Sequence, residues 1–550
     1  RKVGRRIRRH ELPELIQVAF LALHGEYGED GQLQRELEYA GIPYTGSGVR
    51  ACEIGMDKAV QKDLMQAQGF ASPALLVIEK GDFDGKRVET HFATCEREIG
   101  WPMVIRPARQ GSSIGVAIIE ESEGIESFER AVNAAFFREL LPIREYAARD
   151  EYERLEYVRQ LSDLRDGVAF PMDAQQGDHL LTLYTPDDLH AYLEKAAASN
   201  ERQSNKPTDQ QINVLVFTGH QSEQRVIVEA FITGKEFSTI VVRTEDGQVV
   251  ALPPTEIVKP SSDLFDYRSK YMPGRSRKIT PIELPTDRIQ AIRAECERLF
   301  SELGFHVYAR IDGFHTPTGE IFLNDPNTTS GMMPSSFFFH QAAEIGLNPS
   351  QFLTFIIRQS LRERGMQSEE AEAMEVANEI GAALDEALDA KRGSAAKKER
   401  IAVLLGGTSF ERHISVESGR NVYEKLSSSE SYRPIPVFLT SPLPPVPSSG
   451  ERAYDLYQLP INLLLKDNAD DIHDKVLKPA EHAVINDIRQ ACATITKRYA
   501  DPDVVFHARK LSWNELPEVA DGVFIALHGR PGEDGQVQSF LEARNLYYNG

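Results

Sequence analysis

The stretch FLALHGEYGEDGQLQRELE, residues 20–38, occurs twice in this chain. Its second copy, FIALHGRPGEDGQVQSFLE, covers residues 524–542. His24 corresponds to His528, so the two copies are offset by 504 residues (528 − 24). This offset lies far outside the solenoid repeat periods of ~20–50 residues. The repeat therefore predicts most of one folded unit followed by the beginning of a second.

Composition narrows the class of protein. With 550 residues, of which 41% are hydrophobic, the chain is long enough for several packed domains. A net charge of −21 argues against a nucleic-acid partner, since phosphate binding requires clustered positive charge. No apolar run approaches the ~18 residues of a membrane span. The basic start, RKVGRRIRRH, lacks the apolar segment of a signal peptide and is interpreted as part of a longer helix rather than a basic tail.

The number and spacing of the cysteines indicate the redox environment of the protein. They are few, scattered and without CxxC spacing, which argues against a zinc site or a disulfide framework. We therefore expect a reducing, cytoplasmic environment. They are Cys52, Cys95, Cys296 and Cys492.

Hydrophobic patterning predicts an α/β fold. The apolar run at 16–23 is typical of a buried strand, and a glycine-punctuated loop and a helix follow it. Residues 73–120 and 225–253 read as strands and hairpins, the latter turning at Glu245-Asp246-Gly247. The charged segment 125–212 predicts an inserted helical subdomain. After the hydrophilic linker at 391–400, IAVLLGG opens a new strand–loop–helix unit.

One glycine-rich segment has the composition of a phosphate site. GSSIG, residues 111–115, lies between two apolar strands and offers backbone N–H groups without side-chain obstruction. Most Gly-Ser segments are only turns. Arg106 on the preceding strand and Lys58 strengthen the phosphate interpretation because both supply positive charge.

A second group suits a divalent cation. Asp312, Asp325 and Asn327 fall near the ends of two neighbouring predicted strands, and their oxygens are the ligands that Mg²⁺ prefers. Arg310 lies two residues before Asp312, so both point to one face of a strand and Arg310 can stabilise developing negative charge. The alternative is a set of solvated turn acids. Glu229 and Glu236 are either surface acids or contacts to a nucleotide.

These motifs together resemble those of D-alanine–D-alanine ligases of the ATP-grasp fold. The resemblance rests on HGEYGEDGQLQ, GIPYTGSG, MDK, RPARQGSSIGV, VEAFITGKEF, ALPPTEIV, FDYRSKY, ARIDGF, NTTSGMMPSS and VLLGGTSFERHISVESG. They follow the family's order and cover nearly everything except 125–212. The resemblance implies a Rossmann-like N-terminal domain and ATP-grasp central and C-terminal domains.

The implied domains follow the repeat. Residues 1–50 are the end of the first N-terminal domain, 51–124 and 213–240 the small ATP-grasp subdomain, 125–212 the helical insertion, 241–392 the C-terminal ATP-grasp domain, 393–399 a linker, and 400–550 the N-terminal domain of a second ligase copy.

The resemblance also implies residue roles. For ATP these are Lys58, Arg106, Gly111, Ser113, Glu229, Ile232, Glu236 and Lys270. Magnesium or manganese, two ions, would be held by Asp312, Asp325 and Asn327. Catalytic groups would be Arg310, Ser112, Tyr271, Glu411 and Gly331. Substrate contacts would be His24, Glu29, Ser336 and His528. The family has Lys where Arg106 stands, Glu where Asp325 stands and Pro where Ser330 stands, so this chain departs from the family pattern at one phosphate contact, one metal ligand and one loop position.

The implied reaction has two steps. ATP phosphorylates the carboxylate of one D-alanine, and the amine of a second D-alanine attacks the acylphosphate for peptidoglycan precursor synthesis. Two alternatives stay open: a related carboxylate–amine or D-alanine–D-lactate ligase, and a catalytically weak tandem-ligase scaffold. A homodimer is also left open.

The repeat allows two assemblies. Residues 400–550 would dock on 47–390 and complete one site, with Glu411 facing Ser112 and Tyr271. Alternatively, the chain is an excerpt of a longer two-ligase polypeptide. The second interpretation is the plainer one.

Overall fold

The structure of the protein is a computed structural model. It describes residues 4–83, 87–111, 113–163, 165, 167–203, 214–220, 222–258, 277–367, 371–394, 398–441, 454–466 and 468–550.

The helices are named in chain order. They are α1 Leu12–Leu15, α2 Gln32–Tyr39, α3 Val49–Met56, α4 Lys58–Ala67, α5 Val88–Glu98, α6 Gly124–Ala135, α7 Ile143–Ala147, α8 Glu151–Ser162, α9 Pro186–Gln203, α10 Thr286–Glu302, α11 Phe337–Glu344, α12 Pro349–Gln367, α13 Ala371–Ser394, α14 Arg412–Ser427, α15 Ile461–Leu464, α16 Ala469–Leu477, α17 Ala483–Ala491, α18 Ala493–Tyr499, α19 Leu516–Val519 and α20 Gln536–Glu542.

The strands are named in the same way. They are β1 Leu75–Glu79, β2 Met103–Pro107, β3 Ala117–Ile119, β4 Arg138–Pro142, β5 Met172–Gln176, β6 His179–Leu183, β7 Val214–Gly219, β8 Arg225–Ala230, β9 Lys235–Arg243, β10 Val249–Ala251, β11 Thr255–Val258, β12 Arg277–Ile279, β13 Tyr308–His315, β14 Ile321–Asn327, β15 Glu399–Gly406, β16 Tyr432–Thr440, β17 Asp455–Gln458, β18 Arg509–Leu511, β19 Gly522–Ile525 and β20 Tyr547–Tyr548.

The chain forms two compact units. One comprises the described residues of 1–55, 235–258 and 276–550, and the other those of 56–234. The smaller unit contains a four-stranded antiparallel sheet in the order β1-β8-β2-β3. Strand β2 is buried along its whole length, which agrees with its apolar sequence. The predicted hairpin around GSSIG is confirmed, because β2 pairs with β3 on either side of it.

The insertion predicted as helical at 125–212 does contain helices, α7, α8 and α9 among them, but it contains strands as well. Strands β4, β7, β5 and β6 form a second antiparallel sheet in that order, and α7, α8 and α9 share its separate core. These strands do not show the hydrophobic alternation typical of a strand, because they are short and partly exposed. The first three residues of β6 are exposed, for example, so the alternation expected of a half-buried strand is missing.

The larger unit contains a six-stranded sheet in the order β12-β11-β9-β13-β14, with β10 paired to β9. Both predicted hairpins of this region, β9–β10 and β13–β14, are confirmed. Helix α11 packs on β9, where the Gln341 side chain bonds to the backbone of Ile240 and Ser238. These contacts hold the central strand β9, which pairs with the strand that carries Asp312.

The same unit contains a mixed sheet built from residues 399–550. Its order is β18-β17-β16-β15-β19-β20, with parallel pairing through β16, β15, β19 and β20. The predicted strand–loop–helix unit after the linker is confirmed, and α14 packs against β15 and β16. Helix α13 extends to Ser394 and β15 begins at Glu399, so both ends of the predicted linker 393–399 belong to regular elements.

The predicted strand at 16–23 is reduced to one bridge, between Ala19 and Tyr44. Its counterparts 504 residues later, Val523 and Tyr548, pair as β19 and β20. The difference follows from the neighbouring strand, because β19 also pairs with β15. The sequence alone does not show whether such a neighbour is available.

Residues 399–550 pack on helices of their own unit through polar contacts around Glu344. This side chain is 5% exposed, and it accepts hydrogen bonds from Asn462 at 2.8 Å and Lys466 at 3.3 Å. Its carbonyl oxygen accepts from Arg489 at 2.9 Å. On α12, Phe355 meets Tyr499 edge to face. The two segments are therefore joined by both polar and aromatic contacts.

All four cysteines are buried and free, as the scattered spacing predicts. Burial raises the pKa of Cys52 to about 11 and the pKa values of Cys95 and Cys492 to about 12. It raises the pKa of Cys296 as well. Among the helices of the described residues, none has the length and apolarity to cross a membrane.

Candidate active site

The glycine-rich hairpin lies between β2 and β3 in the smaller unit. Ile114 donates to the carbonyl oxygen of Gly111 at 3.2 Å, which closes a turn, and Ser113 has a φ of 60°. Gly115 has a φ of +68°, and a Cβ there would lie 2.9 Å from Cγ of Pro107. Glycine is thus required at 115 both by conformation and by space.

Lys58 is positioned by helix α4, which begins at this residue. Asp57 caps the helix by accepting the N–H of Val60 at 3.2 Å. The Lys58 backbone N–H donates to Ala108 at 2.9 Å, and its ammonium donates to the Gln110 carbonyl at 2.8 Å. The ammonium is therefore held at the entrance of the glycine-rich hairpin.

A buried group of charges lies on the adjacent strands. Glu229 on β8 is 6% exposed and Arg106 on β2 is 5% exposed, and their Oε1 and Nε atoms are 2.8 Å apart. The second oxygen of Glu229 lies 3.4 Å from the ammonium of Lys62, which is 2% exposed. One buried carboxylate therefore contacts two buried cations on these elements.

The other predicted nucleotide residues are divided between the two units. Ile232 is half-buried in the turn after β8, in the smaller unit. Glu236 lies on β9 of the larger unit, opposite Phe314 of β13. Ser112, Lys270 and Tyr271 lie outside the described residues, so the predictions for them stay predictions.

The candidate metal residues come together around a β-bulge. Arg310 pairs with Asn327 and Asp312 with Asn324, so Asp325 is the additional residue on β14, and it has a φ of 46°. Arg310 reaches Asp312 with two guanidinium nitrogens, each 3.3 Å from a carboxylate oxygen. The Ser238 hydroxyl donates to the same carboxylate at 2.7 Å. Arg310, Asp312 and Asn327 therefore share one face of the sheet.

The donor chemistry of this face fits Mg²⁺. Two carboxylates and an amide oxygen are hard ligands, and the bulge adds one of the carboxylates to the edge of the sheet. Within the described ranges there is no group of three or more His, Cys, Asp or Glu side chains placed to hold a metal. The candidate set has only two such residues, with Asn327 as its third member.

Gly331 and Ser336 lie in the segment that follows β14. Ser336 precedes the first residue of α11, and its backbone N–H donates to Met333 at 2.8 Å. Its hydroxyl oxygen is buried without a hydrogen-bond partner. A buried hydroxyl at a helix N-terminus is suited to a carboxylate ligand. Gly331 has open space around its α-carbon, which leaves room for a ligand.

The predicted residues for the first amino acid lie in two places. In the second copy, a Cβ on Gly529 would lie 3.4 Å from a carboxylate oxygen of Glu411, and Ser409 donates to the His528 carbonyl at 2.7 Å. The ring of His528 lies 3.0 Å from the Ser418 hydroxyl. The structure thus brings Glu411 and His528 together.

The first copy is built differently. The His24 side chain is 53% exposed, and its ring nitrogen lies 3.3 Å from Glu29. Glu29 also accepts the N–H of Gly25 at 2.6 Å. This pair is held by its own loop.

Sequence reasoning missed four residues. Lys62 was detectable, because it follows Lys58 by one helical turn. No local sequence pattern points to the other three, because each makes its hydrogen bond to a residue distant in sequence. They are Ser238, Ser418 and Glu223.

The antiparallel sheets, the phosphate-type hairpin and the acid–amide face place the chain in the ATP-grasp class. Comparison with known proteins supports a narrower assignment. Two family models match: D-ala D-ala ligase N-terminus over residues 1–47 and 400–550, and D-ala D-ala ligase C-terminus over residues 64–141 and 204–358. The chain belongs to the D-alanine–D-alanine ligase family.

Individual proteins are similar to the chain over part of its length. A D-alanine–D-alanine ligase of Pelotomaculum thermopropionicum is 26% identical over 354 residues, covering 64% of this chain and 83% of the relative. One from Geobacter sulfurreducens is 28% identical over 330 residues, covering 60% and 72%. A solved D-alanine–D-alanine ligase of Bacillus anthracis complexed with ATP is 23% identical, covers 66% of this chain and 85% of that chain, and has a TM-score of 0.39.

Proposed function

We propose that this protein is an ATP-dependent ligase that joins two D-alanines through an acylphosphate for peptidoglycan precursor synthesis. The observation that carries the proposal is the face formed by Arg310, Asp312 and Asn327 at the β13–β14 bulge. It combines a cation for developing negative charge with oxygen ligands for a phosphate-bound metal. Family membership supplies the class of reaction.

The metal has a defined place in this proposal. Asp312, Asp325 and Asn327 would hold Mg²⁺, which would neutralise the nucleotide phosphates. Arg310 is oriented by its two contacts to Asp312 and stabilises the oxyanion that forms at the attacked carbonyl. Because the Asp312 carboxylate is also held by Ser238, the guanidinium is aligned before substrate binds.

The second D-alanine would bind through its carboxylate at the start of α11. The buried Ser336 hydroxyl is available to donate to that carboxylate, and the helix N-terminus favours its negative charge. The amine is then free to attack the acylphosphate, and catalysis depends on positioning rather than on a protein nucleophile.

The first D-alanine would bind at Glu411 and His528. A carboxylate and an imidazole suit the ammonium and carboxylate groups of an amino acid. Residues 399–550 pack on the helices that follow the candidate metal site, and this contact supports the hypothesis that the segment completes the site within one chain.

The test is phosphate release from ATP as a function of added D-alanine, with product identified by mass. The wild-type chain is expected to release phosphate only when D-alanine and Mg²⁺ are present. Arg310→Ala is expected to lower kcat about 10²–10³-fold, as for other groups that stabilise an oxyanion. Arg298→Ala, on the exposed side of α10, is the matched control and should leave kcat unchanged.

The alternatives have their own outcomes. Faster turnover when D-lactate replaces the second D-alanine would favour a D-alanine–D-lactate ligase. ATP binding without turnover on either acceptor would favour a tandem-ligase scaffold and would contradict the proposal.

A further inference from the structure

The glycine-rich hairpin of the smaller unit is held at its entrance, residues 108–110, by two different segments, the start of α4 and the residues around the start of β8. The carbonyls of Ala108 and Gln110 accept from Lys58 at 2.9 and 2.8 Å, and the N–H of Ala108 donates to Arg225 at 3.1 Å. Between them, the N–H of Arg109 donates to the Glu223 carboxylate at 3.0 Å. Glu223 is the one acidic side chain among these contacts.

Glu223 is an unusual residue for this task. It is 4% exposed and precedes β8, so the strand that carries Glu229 also fixes its position. The pKa of Glu223 is raised to about 7, chiefly by burial and to a smaller extent by the neighbouring Asp57, against the lowering effect of the Arg109 N–H and of the charges of Lys58 and Arg109. Burying a carboxyl group destabilises the fold unless the group makes a hydrogen bond.

The charged groups around it come from every neighbouring element. Asp57 and Lys58 face it from the start of α4, and Arg109 faces it from the hairpin. Arg225 on β8 pairs with Asp57, and Lys80 after β1 bonds to the Ser222 hydroxyl at 2.7 Å. Asp57 is paired with Arg225. The N–H of Arg109 donates to Glu223 instead, and this bond is the contact that Glu223 makes with the hairpin.

We propose that Glu223 is a positioning residue for nucleotide binding, whose carboxylate fixes the entrance of the hairpin so that the N–H groups after Arg109 are presented to phosphate. The inference rests on the proposed function, because it takes the hairpin to cover the phosphates of ATP. A hydrogen bond to an ionised acceptor is stronger than one to a neutral acceptor. The hairpin is therefore held most firmly when Glu223 is ionised.

The pH dependence has a definite sign. Above pH 7 the carboxylate is ionised and the affinity for ATP is greatest, and as the pH falls through 7 the affinity falls. A carboxylate that acted only through its charge would give the opposite slope, because its negative charge repels the nucleotide. The terminal phosphate of ATP also titrates in this range, so the slope assigned to Glu223 is the difference between the wild-type and Glu223→Gln profiles.

The experiment measures ATP affinity by calorimetry and D-alanine-dependent turnover on the same full-length samples, from pH 6 to pH 8. Glu223→Ala is expected to weaken ATP binding about tenfold, equivalent to ~1.4 kcal/mol, with kcat at saturating ATP nearly unchanged. Glu223→Gln keeps an acceptor oxygen, so its loss of affinity should be smaller, and its affinity should depend less on pH near 7 than that of the wild type. Glu98→Gln, an exposed acid at the end of α5, is the control.

The outcomes remain distinct. Wild-type affinity that is flat or rises as the pH falls, or a Glu223→Ala chain that binds ATP normally, would overturn the inference. ATP binding without D-alanine-dependent turnover would contradict the ligase proposal and leave the role of Glu223 measurable. A chain that bound no ATP would overturn both. If Glu223→Ala does not fold, the wild-type pH slope and Glu223→Gln still decide.

Discussion

At the scale of single residues, the most consequential arrangement is the buried group of Glu229, Arg106 and Lys62. One carboxylate serves two cations, each less than a tenth exposed. Removing one member of a buried ion pair is costly because its partner stays buried without compensation. Glu229 and Arg106 are also predicted nucleotide contacts, so the same group bears on both stability and binding.

Glu229→Gln is predicted to lower the free energy of unfolding by about 3 kcal/mol, because two buried cations lose the carboxylate charge that they contact. Urea denaturation of the full chain measures this loss. Glu98→Gln, whose partner Arg97 is exposed, should change it by less than ~0.5 kcal/mol. Equal stability of the two variants would mean that the buried group is not a net stabilising contact.

At the scale of elements, the β13–β14 hairpin combines regular pairing with one irregular residue. The bulge gives Asp325 a φ of 46°, a left-handed conformation that Asp and Asn tolerate better than most residues. Replacing Asp325 by Asn therefore removes the charge of the carboxylate without adding backbone strain.

Asp325→Asn is predicted to leave the unfolding free energy within ~0.5 kcal/mol of wild type, since Asn adopts the same backbone conformation. The Mg²⁺ concentration for half-maximal turnover should rise about tenfold, because a charged ligand is lost. A magnesium titration of initial rates measures the shift. Asp246→Asn, in the β9–β10 turn, is the control, and an unchanged titration for Asp325→Asn would exclude Asp325 as a ligand.

The elements that the sequence predicted are those whose pattern is local. The apolar run before GSSIG and the Gly turn between β13 and β14 contain their own information, and both hairpins are confirmed. The strands of the insertion at 125–212 are not predicted, because they are short and lie between charged helices that dominate the sequence pattern.

Long-range partners explain the rest. The run at 16–23 has the composition of a strand, yet strand formation depends on a neighbour that its counterpart at 522–525 finds in β15. The bonds of Ser238 and Glu223 likewise join residues far apart in sequence.

At the scale of the whole molecule, the repeat places two equivalent histidines in unequal surroundings. His528 lies beside Glu411 and the Ser418 hydroxyl, whereas His24 is half exposed beside Glu29. Glu411 and His528, both predicted contacts of the first amino acid, belong to residues 399–550.

His528→Ala is predicted to lower D-alanine-dependent turnover about 100-fold or more, because the oriented imidazole contributes on the scale of other positioned catalytic groups. His24→Ala is the internal control and should retain most of the activity. Initial rates at saturating ATP measure both. The reverse order would assign the working pocket to the first copy and contradict completion of the site by residues 399–550.

The four buried cysteines have a consequence for how the molecule opens. Cys95 belongs to the smaller unit, and Cys52, Cys296 and Cys492 belong to the larger one. A thiol that is both shielded and held protonated reacts only after its surroundings come apart. Each unit therefore contains a thiol that becomes reactive only when that unit opens. The order in which the thiols react shows which unit opens first.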